Sequence, residues 1–212
     1  MTLKNNKPEI YLISPNKILN TDFLDVLNKL LSEGIVKVFQ LRIKKCKETY
    51  LNELVKAIKP ICKSNNVLFL LNDNLKIAKI NDLDGVHVGE LDASINKCRQ
   101  LLGKNKIVGK SCYNSPTLAA KAQKSGADYI AFGSFFKTKT KEKVTKVNIK
   151  DIMYCKKNLN KPIVGIGGIN QKNILKLKKL NLDYIAISSY VWETNMNPKL
   201  AIKKIKNIID NY

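Results

Sequence analysis

Gln40-Leu41-Arg42-Ile43-Lys44 ends a short apolar run with a polar side chain at every second position. Alternate residues of an extended chain point the same way, about 6.6 Å apart per step. Gln40, Arg42 and Lys44 therefore share a face and line up donors with two positive charges, an arrangement suited to a diphosphate. A solvated strand end is the plainer alternative, above all for Lys44, which has Lys45 and Lys47 as neighbours. Arg42 stands out because the chain holds only one other arginine, Arg99.

Two acidic positions follow the next apolar runs. Leu70-Leu71-Asn72-Asp73-Asn74 ends one, and Gly85-Val86-His87-Val88-Gly89-Glu90-Leu91-Asp92 carries the other. Two carboxylates beside a diphosphate suit Mg²⁺, which takes one or two carboxylates plus phosphate oxygens and water. Asp73 could instead be a turn residue and Asp92 a helix N-cap. His87 is the only histidine. It reads either as a hydrogen-bonded core residue or as a substrate contact.

A third group lies late in the chain. Val164-Gly165-Ile166-Gly167-Gly168-Ile169-Asn170 lacks the third glycine of a dinucleotide fingerprint, because Asn170 stands in its place. Paired glycines here let backbone N–H groups approach a phosphate. Ile187-Ser188-Ser189 ends the following run. Between these and the acidic positions, Phe132-Gly133-Ser134-Phe135-Phe136-Lys137-Thr138-Lys139-Thr140-Lys141 joins hydroxyls to positive charge without apolar periodicity. It reads as an active-site lid or as a basic surface loop.

What must position these residues is an alternation of short β-branched runs with longer amphipathic ones. Strands are expected at Glu9–Ser14, Val36–Leu41, Val67–Leu71, Gly85–Val88, Lys106–Gly109, Tyr129–Phe132, Pro162–Gly165 and Tyr184–Ile187. Helices are expected at Thr21–Glu33, Glu48–Ser64, Leu75–Ile80, Ala93–Leu102, Pro116–Ser125, Ile149–Lys156, Gln171–Leu180 and Pro198–Ile209. Ser115-Pro116 and Asn197-Pro198 each set a capping side chain before a proline suited to the first helical turn. Gly126 falls where a left-handed C′ residue is wanted. Eight such units in 212 residues predict an α/β fold, a (β/α)8 TIM barrel forming one domain over residues 1–212. An open doubly wound sheet would have a glycine-rich first turn, whereas Ser14-Pro15-Asn16 has none. In a barrel several of these polar residues fall at or just past a strand C-terminus, where active sites are built. The loops after strands seven and eight are then a natural phosphate site.

Composition bounds the function classes. Hydrophobic residues make up 44% and charged residues 26%, as in a globular protein. No apolar run has the length of a membrane span, and the first residues lack a signal-peptide stretch, so a cytoplasmic protein is expected. Five cysteines without a Cys-x-x-Cys pair, and one histidine, argue against zinc. The net charge of +21 invites an anionic partner. The excess is nearly all lysine, spread over every expected helix, and no nucleic-acid motif accompanies it.

Six segments occur together in the order and approximate spacing of the thiamine-phosphate synthases, which this chain resembles from about Tyr11 to Trp192. They are Gln40-x-Arg42-x-Lys44, Asn72-Asp73, Gly85-Val86-His87-x-Gly89-x-x-Asp92, Gly126-Ala127-Asp128-Tyr129, Thr138-x-Thr140-Lys141 and Gly165-Ile166-Gly167-Gly168-Ile169. The resemblance implies condensation of 4-amino-2-methyl-5-hydroxymethylpyrimidine diphosphate with 4-methyl-5-(2-phosphoethyl)thiazole, giving thiamine phosphate and diphosphate. It implies that Arg42, Lys44, Asn72 and Lys141 hold the diphosphate and that Asp73 and Asp92 hold Mg²⁺. Gln40 would contact the pyrimidine, with His87 nearby, and Ser111 would lie close to the reacting carbon. Thr138 and Thr140 would contact the thiazole or order their loop, and Gly168, Ser188 and Ser189 would bind its phosphate. Ser111, Arg42 and Lys141 would act on the reaction itself.

Glu90-Leu91 departs from the usual Gln-Glu of that family, and Tyr113 stands where its Ser-x-His pattern has histidine. A related thiazole tautomerase, an isomerase on the same fold, would need that histidine and no diphosphate site. A non-catalytic basic protein binding nucleic acid would have no use for Asp73 or Asp92. The expected partners are the two small-molecule substrates, with neither nucleic acid nor membrane; oligomeric state is left open.

Overall fold

The computed structural model describes residues 7–18, 22–90, 92–137 and 147–212. Its strands are β1 (Glu9–Ile13), β2 (Val36–Leu41), β3 (Leu68–Asn72), β4 (Gly85–Val88), β5 (Ile107–Tyr113), β6 (Tyr129–Phe132), β7 (Ile163–Ile166) and β8 (Tyr184–Ile187). Each pairs in parallel with the next, and β8 closes on β1, so the sheet is the expected (β/α)8 barrel. The helices are α1 (Phe23–Leu31), α2 (Glu48–Ser64), α3 (Leu75–Ile80), α4 (Ile95–Leu102), α5 (Pro116–Lys124), α6 (Ile149–Asn158), α7 (Ser189–Trp192) and α8 (Pro198–Asp210). Among the described residues no helix is long and apolar enough to cross a membrane.

Closure gives each strand two apolar environments, which explains the short β-branched runs. Ile10, Leu12, Phe39, Leu41, Phe69 and Leu71 face the helices and join one large core. Tyr11, Ile13, Val38, Leu70, Tyr129 and Ala131 face inward and form a second cluster inside the barrel. With period-two alternation, one strand thus feeds both layers.

Several boundaries moved, each for a local reason. β5 runs on to Tyr113 rather than stopping at Gly109. Polar Lys110 and Ser111 interrupt the apolar run without breaking the strand. Lys110 shares the parity of outward-facing Val108 and Cys112, and its ammonium donates to the Gly89 carbonyl at 2.6 Å. Ser111 is therefore inside a strand, not after one. α4 begins at Ile95 because Ser94 accepts from the Lys97 N–H, rather than at Ala93. α1 begins at Phe23; the expected start at Thr21 lies outside the described residues.

The helix expected over Gln171–Leu180 is a 3₁₀ segment at Ile174–Leu180. Its buried residues, Ile174, Leu177 and Leu180, recur every third position, which is the 3₁₀ repeat and not the α one. The one-turn helix α7 was not expected. It is tied down by Trp192, whose indole N–H donates to the Ile13 carbonyl at 2.7 Å.

At the opposite end of the barrel from the strand C-termini, three aspartates act alike. Asp84, Asp128 and Asp183 each precede an even-numbered strand. Each carboxylate accepts an N–H from the first or second residue of the preceding strand: Phe69, Val108 and Ile163, all at 2.7 Å. Arg99 braces Asp128 and donates to the Gly126 and Lys106 carbonyls. The second arginine of the chain is thus structural. Asp128→Ala should lower stability by about 1–2 kcal/mol, discounted for its partial exposure. Denaturant unfolding checks this, with substrate KM values expected to stay unchanged.

Candidate active site

The C-terminal ends of the strands surround a cavity of about 260 Å³. Every described residue assigned a role from sequence lines it: Gln40, Arg42, Lys44, Asn72, Asp73 and Asp92 on one side, Gly168, Ser188 and Ser189 on the other, with His87 and Ser111 between. Thr138, Thr140 and Lys141 lie outside the described residues.

The first side is cationic and acidic together. The Arg42 guanidinium donates to Asn16 at 2.8 Å, and the Arg42 backbone N–H donates to the Ser14 hydroxyl at 2.9 Å. Burial pulls its pKa down from the ordinary arginine value, while Asp73 and Asp92 push it back up. The Asp73 carboxyl is raised to about 6, first by burial, then by a hydrogen bond and charge repulsion from Asp92; Lys44 and Arg42 work against that rise. Two carboxyls from adjacent strand ends thus lie close enough to repel each other. Asp73 reaches this point through a left-handed backbone, φ 62°. Asp92 is not the cap of α4, a role Ser94 takes; its carboxylate accepts from the Gly89 N–H at 2.8 Å instead.

This donor set suits a hard divalent cation. Paired carboxylates that repel each other are relieved by positive charge, and two of them leave room for phosphate oxygens and water. No cluster of three or more His, Cys, Asp or Glu exists among the described residues, so a closed protein cage for zinc is not offered.

The opposite side is built from backbone. Gly167 and Gly168 adopt φ of 107° and 63°. A Cβ on Gly167 would run into Ser134, and one on Gly168 into the Lys137 carbonyl and the Phe136 backbone. The chain after β6 packs directly on these glycines, with Phe135 and Phe136 N–H groups donating to the Ile166 and Gly167 carbonyls at 3.1 and 3.0 Å. Ser188 donates its hydroxyl to the Ser14 carbonyl at 3.0 Å. Ser14, 2% exposed, therefore touches both sides of the cavity through Arg42 and Ser188.

A line of buried and half-buried polar groups crosses the barrel at the floor of the cavity. Tyr11 donates to Gln40 at 3.0 Å and meets the Tyr129 hydroxyl at 2.8 Å. His87 meets Tyr129 through Nδ1 and Ser111 through Nε2, both at 2.8 Å. Gln40 donates to Asn72 at 2.7 Å, and Asn72 donates to Asp73. Burial raises the pKa of both phenols well above the ordinary tyrosine value, so both stay protonated. Gly109 makes this possible: it sits between His87 and Tyr129 in register, and a Cβ there would overlap the Tyr129 ring.

Sequence reading missed Tyr11, Tyr129, Ser14 and Asn16. A tyrosine flanked by apolar residues in a strand reads as packing. The available signal was that a buried phenol needs a polar partner.

A closed barrel whose mouth joins cations and paired carboxylates to a glycine-lined backbone seat defines an enzyme acting on phosphorylated small molecules. Residues 10–191 match the family model described as thiamine monophosphate synthase. The chain is 45% identical over 206 residues to the thiamine-phosphate synthase of Pelagibacter ubique, covering 96% of this chain and 98% of that one. It is 35% identical to the synthase of Methanobrevibacter smithii, covering 96% of each. The solved thiamine phosphate pyrophosphorylase of Pyrococcus furiosus superposes with a TM-score of 0.85 at 27% identity, covering 97% of both chains. The chain belongs to the thiamine monophosphate synthase family and is a transferase.

Gly168→Ala should cost about 1–2 kcal/mol from the left-handed backbone alone, with the Lys137 contact adding to it. Equilibrium unfolding measures the loss, and a variant as stable as the parent would contradict the packing described here.

Proposed function

We propose that this chain condenses hydroxymethylpyrimidine diphosphate with a thiazole phosphate, and that the two halves of its cavity divide the substrates. One observation carries the reading: a cationic, carboxylate-bearing side and a glycine–serine side line the same 260 Å³ cavity, with Ser111 between them. Arg42, Lys44 and Asn72 would hold the diphosphate, joined by Lys141. Gly168, Ser188 and Ser189 would hold the thiazole phosphate, with Thr138 and Thr140 toward the thiazole. Gln40 and His87 would border the pyrimidine.

In the proposed step the methylene carbon–oxygen bond breaks and its electron pair leaves with diphosphate. The electron-rich aminopyrimidine stabilises the cationic carbon, and the thiazole nitrogen forms the new bond with its lone pair. No protein nucleophile is required. Arg42 and Lys44 face charge that grows as the bond breaks, so they lower the barrier rather than only aid binding. Mg²⁺ held by Asp73 and Asp92 would supply further neutralisation of the leaving group. Seating both substrates in one small cavity supplies the proximity a two-substrate reaction needs. Phosphorylated substrates suit a cytoplasmic setting. An isomerase acting on thiazole phosphate alone would have no use for Arg42, Lys44, Asp73 and Asp92.

Purified protein given both substrates and Mg²⁺ should form thiamine phosphate, and no product would reject the proposal. Arg42→Ala should raise KM for the pyrimidine diphosphate about ten-fold or more, the cost of a lost charge-assisted contact, and spare the thiazole phosphate. Ser188→Asp should do the reverse; equal weakening of both substrates by either variant would contradict the division. Asp73→Asn should raise the Mg²⁺ concentration needed for half-maximal rate and lower kcat, and an unchanged Mg²⁺ titration would remove Asp73 from the metal site.

A further inference from the structure

We infer that Tyr11 and Tyr129 are positioning residues that fix the tautomer of His87 and, through it, the direction in which the Ser111 hydroxyl points. The inference follows from counting protons along the buried line of polar groups. The Asn72 amide N–H donates to Asp73, which leaves the Asn72 oxygen toward Gln40. Gln40 donates to that oxygen, which leaves its own oxygen toward Tyr11. Tyr11 has one hydroxyl proton and gives it to Gln40. The 2.8 Å contact between the phenols must then be donated by Tyr129. Tyr129 has likewise spent its one proton, so its contact with His87 at 2.8 Å must be donated by Nδ1–H. In a neutral ring Nε2 then carries a lone pair, and Ser111 donates to it at 2.8 Å. The serine oxygen lining the cavity is left as an acceptor.

The direction suits the chemistry. An oxygen with its proton turned away presents the negative end of its dipole, which stabilises positive charge and not an anion. On the reaction proposed above, on which this role rests, that charge is the cationic methylene carbon. The line runs from the carboxylate pair to the serine through residues of β3, β2, β1, β6, β4 and β5, in that order. The two tyrosines touch neither end of it.

The test uses the single histidine of the chain. Untagged enzyme labelled with ¹⁵N in the imidazole gives one pair of ring signals, free of assignment ambiguity. The parent should show a neutral ring with its proton on Nδ1. In Tyr11→Phe, Tyr129 is released to donate to Nδ1, and the proton should move to Nε2 although no atom bonded to His87 has changed. Turnover should fall about ten-fold, less than for a deleted donor, with both KM values within about two-fold. Tyr129→Phe removes the Nδ1–H acceptor and should lower kcat likewise. A parent ring protonated on Nε2 would overturn the inference, as would a Tyr11→Phe ring still protonated on Nδ1. A shifted tautomer with unchanged kcat would overturn the role in turnover. An Nδ1–H parent that makes no thiamine phosphate would uphold the proton order and reject the reaction instead.

Discussion

Asp73 and Asp92 reach one point from neighbouring strands, and two carboxylates there repel each other unless positive charge is close. Arg42 supplies some of it from a partly buried position, and Lys44 adds more. The proposed Mg²⁺ and diphosphate would relieve the repulsion that remains. Much of the cavity can be understood from this: the left-handed Asp73 backbone, the Gly89–Asp92 turn, and the Asn16 and Ser14 contacts that hold Arg42 in place.

The same tension reaches into the barrel. Tyr11, Gln40, His87 and Tyr129 are buried, and Asn72, Asp73 and Ser111 partly so, which costs free energy unless each finds a partner. Here the line from Asp73 to Ser111 satisfies its members in sequence. Among described residues, the one buried side-chain polar atom without a hydrogen bond is the Tyr190 hydroxyl, away from this line. A fully paired network is rigid, so the groups facing the cavity are held before any ligand arrives. The glycines serve the same end. Gly109 admits the Tyr129 ring, and Gly167 and Gly168 admit the chain after β6.

Much of the site was legible because a barrel converts sequence position into spatial position. A residue just past a strand end falls on the mouth, whatever its neighbours in sequence. This is why Arg42, Asp73, Asp92, Gly168 and Ser188 could be placed from spacing alone and lie around one cavity. Errors arose where polar residues interrupt a strand, as at Lys110-Ser111, and where three-residue spacing was read as α-helical, as at Ile174–Leu180.

The sequence by itself determined the alternation of elements, the closed fold they imply, the polar groups at strand ends and the family. Those depend on local periodicity and on chain order, which one dimension records. Only the tertiary structure decided that Arg99 braces the far end of the barrel, and that Ser14 touches both sides of the cavity. Only it joined Tyr11 to Tyr129 and Tyr129 to His87. These pairings span strands far apart in the chain. A hydrogen bond depends on distance and on which partner holds the proton, and neither is written in the spacing of residues along a single strand.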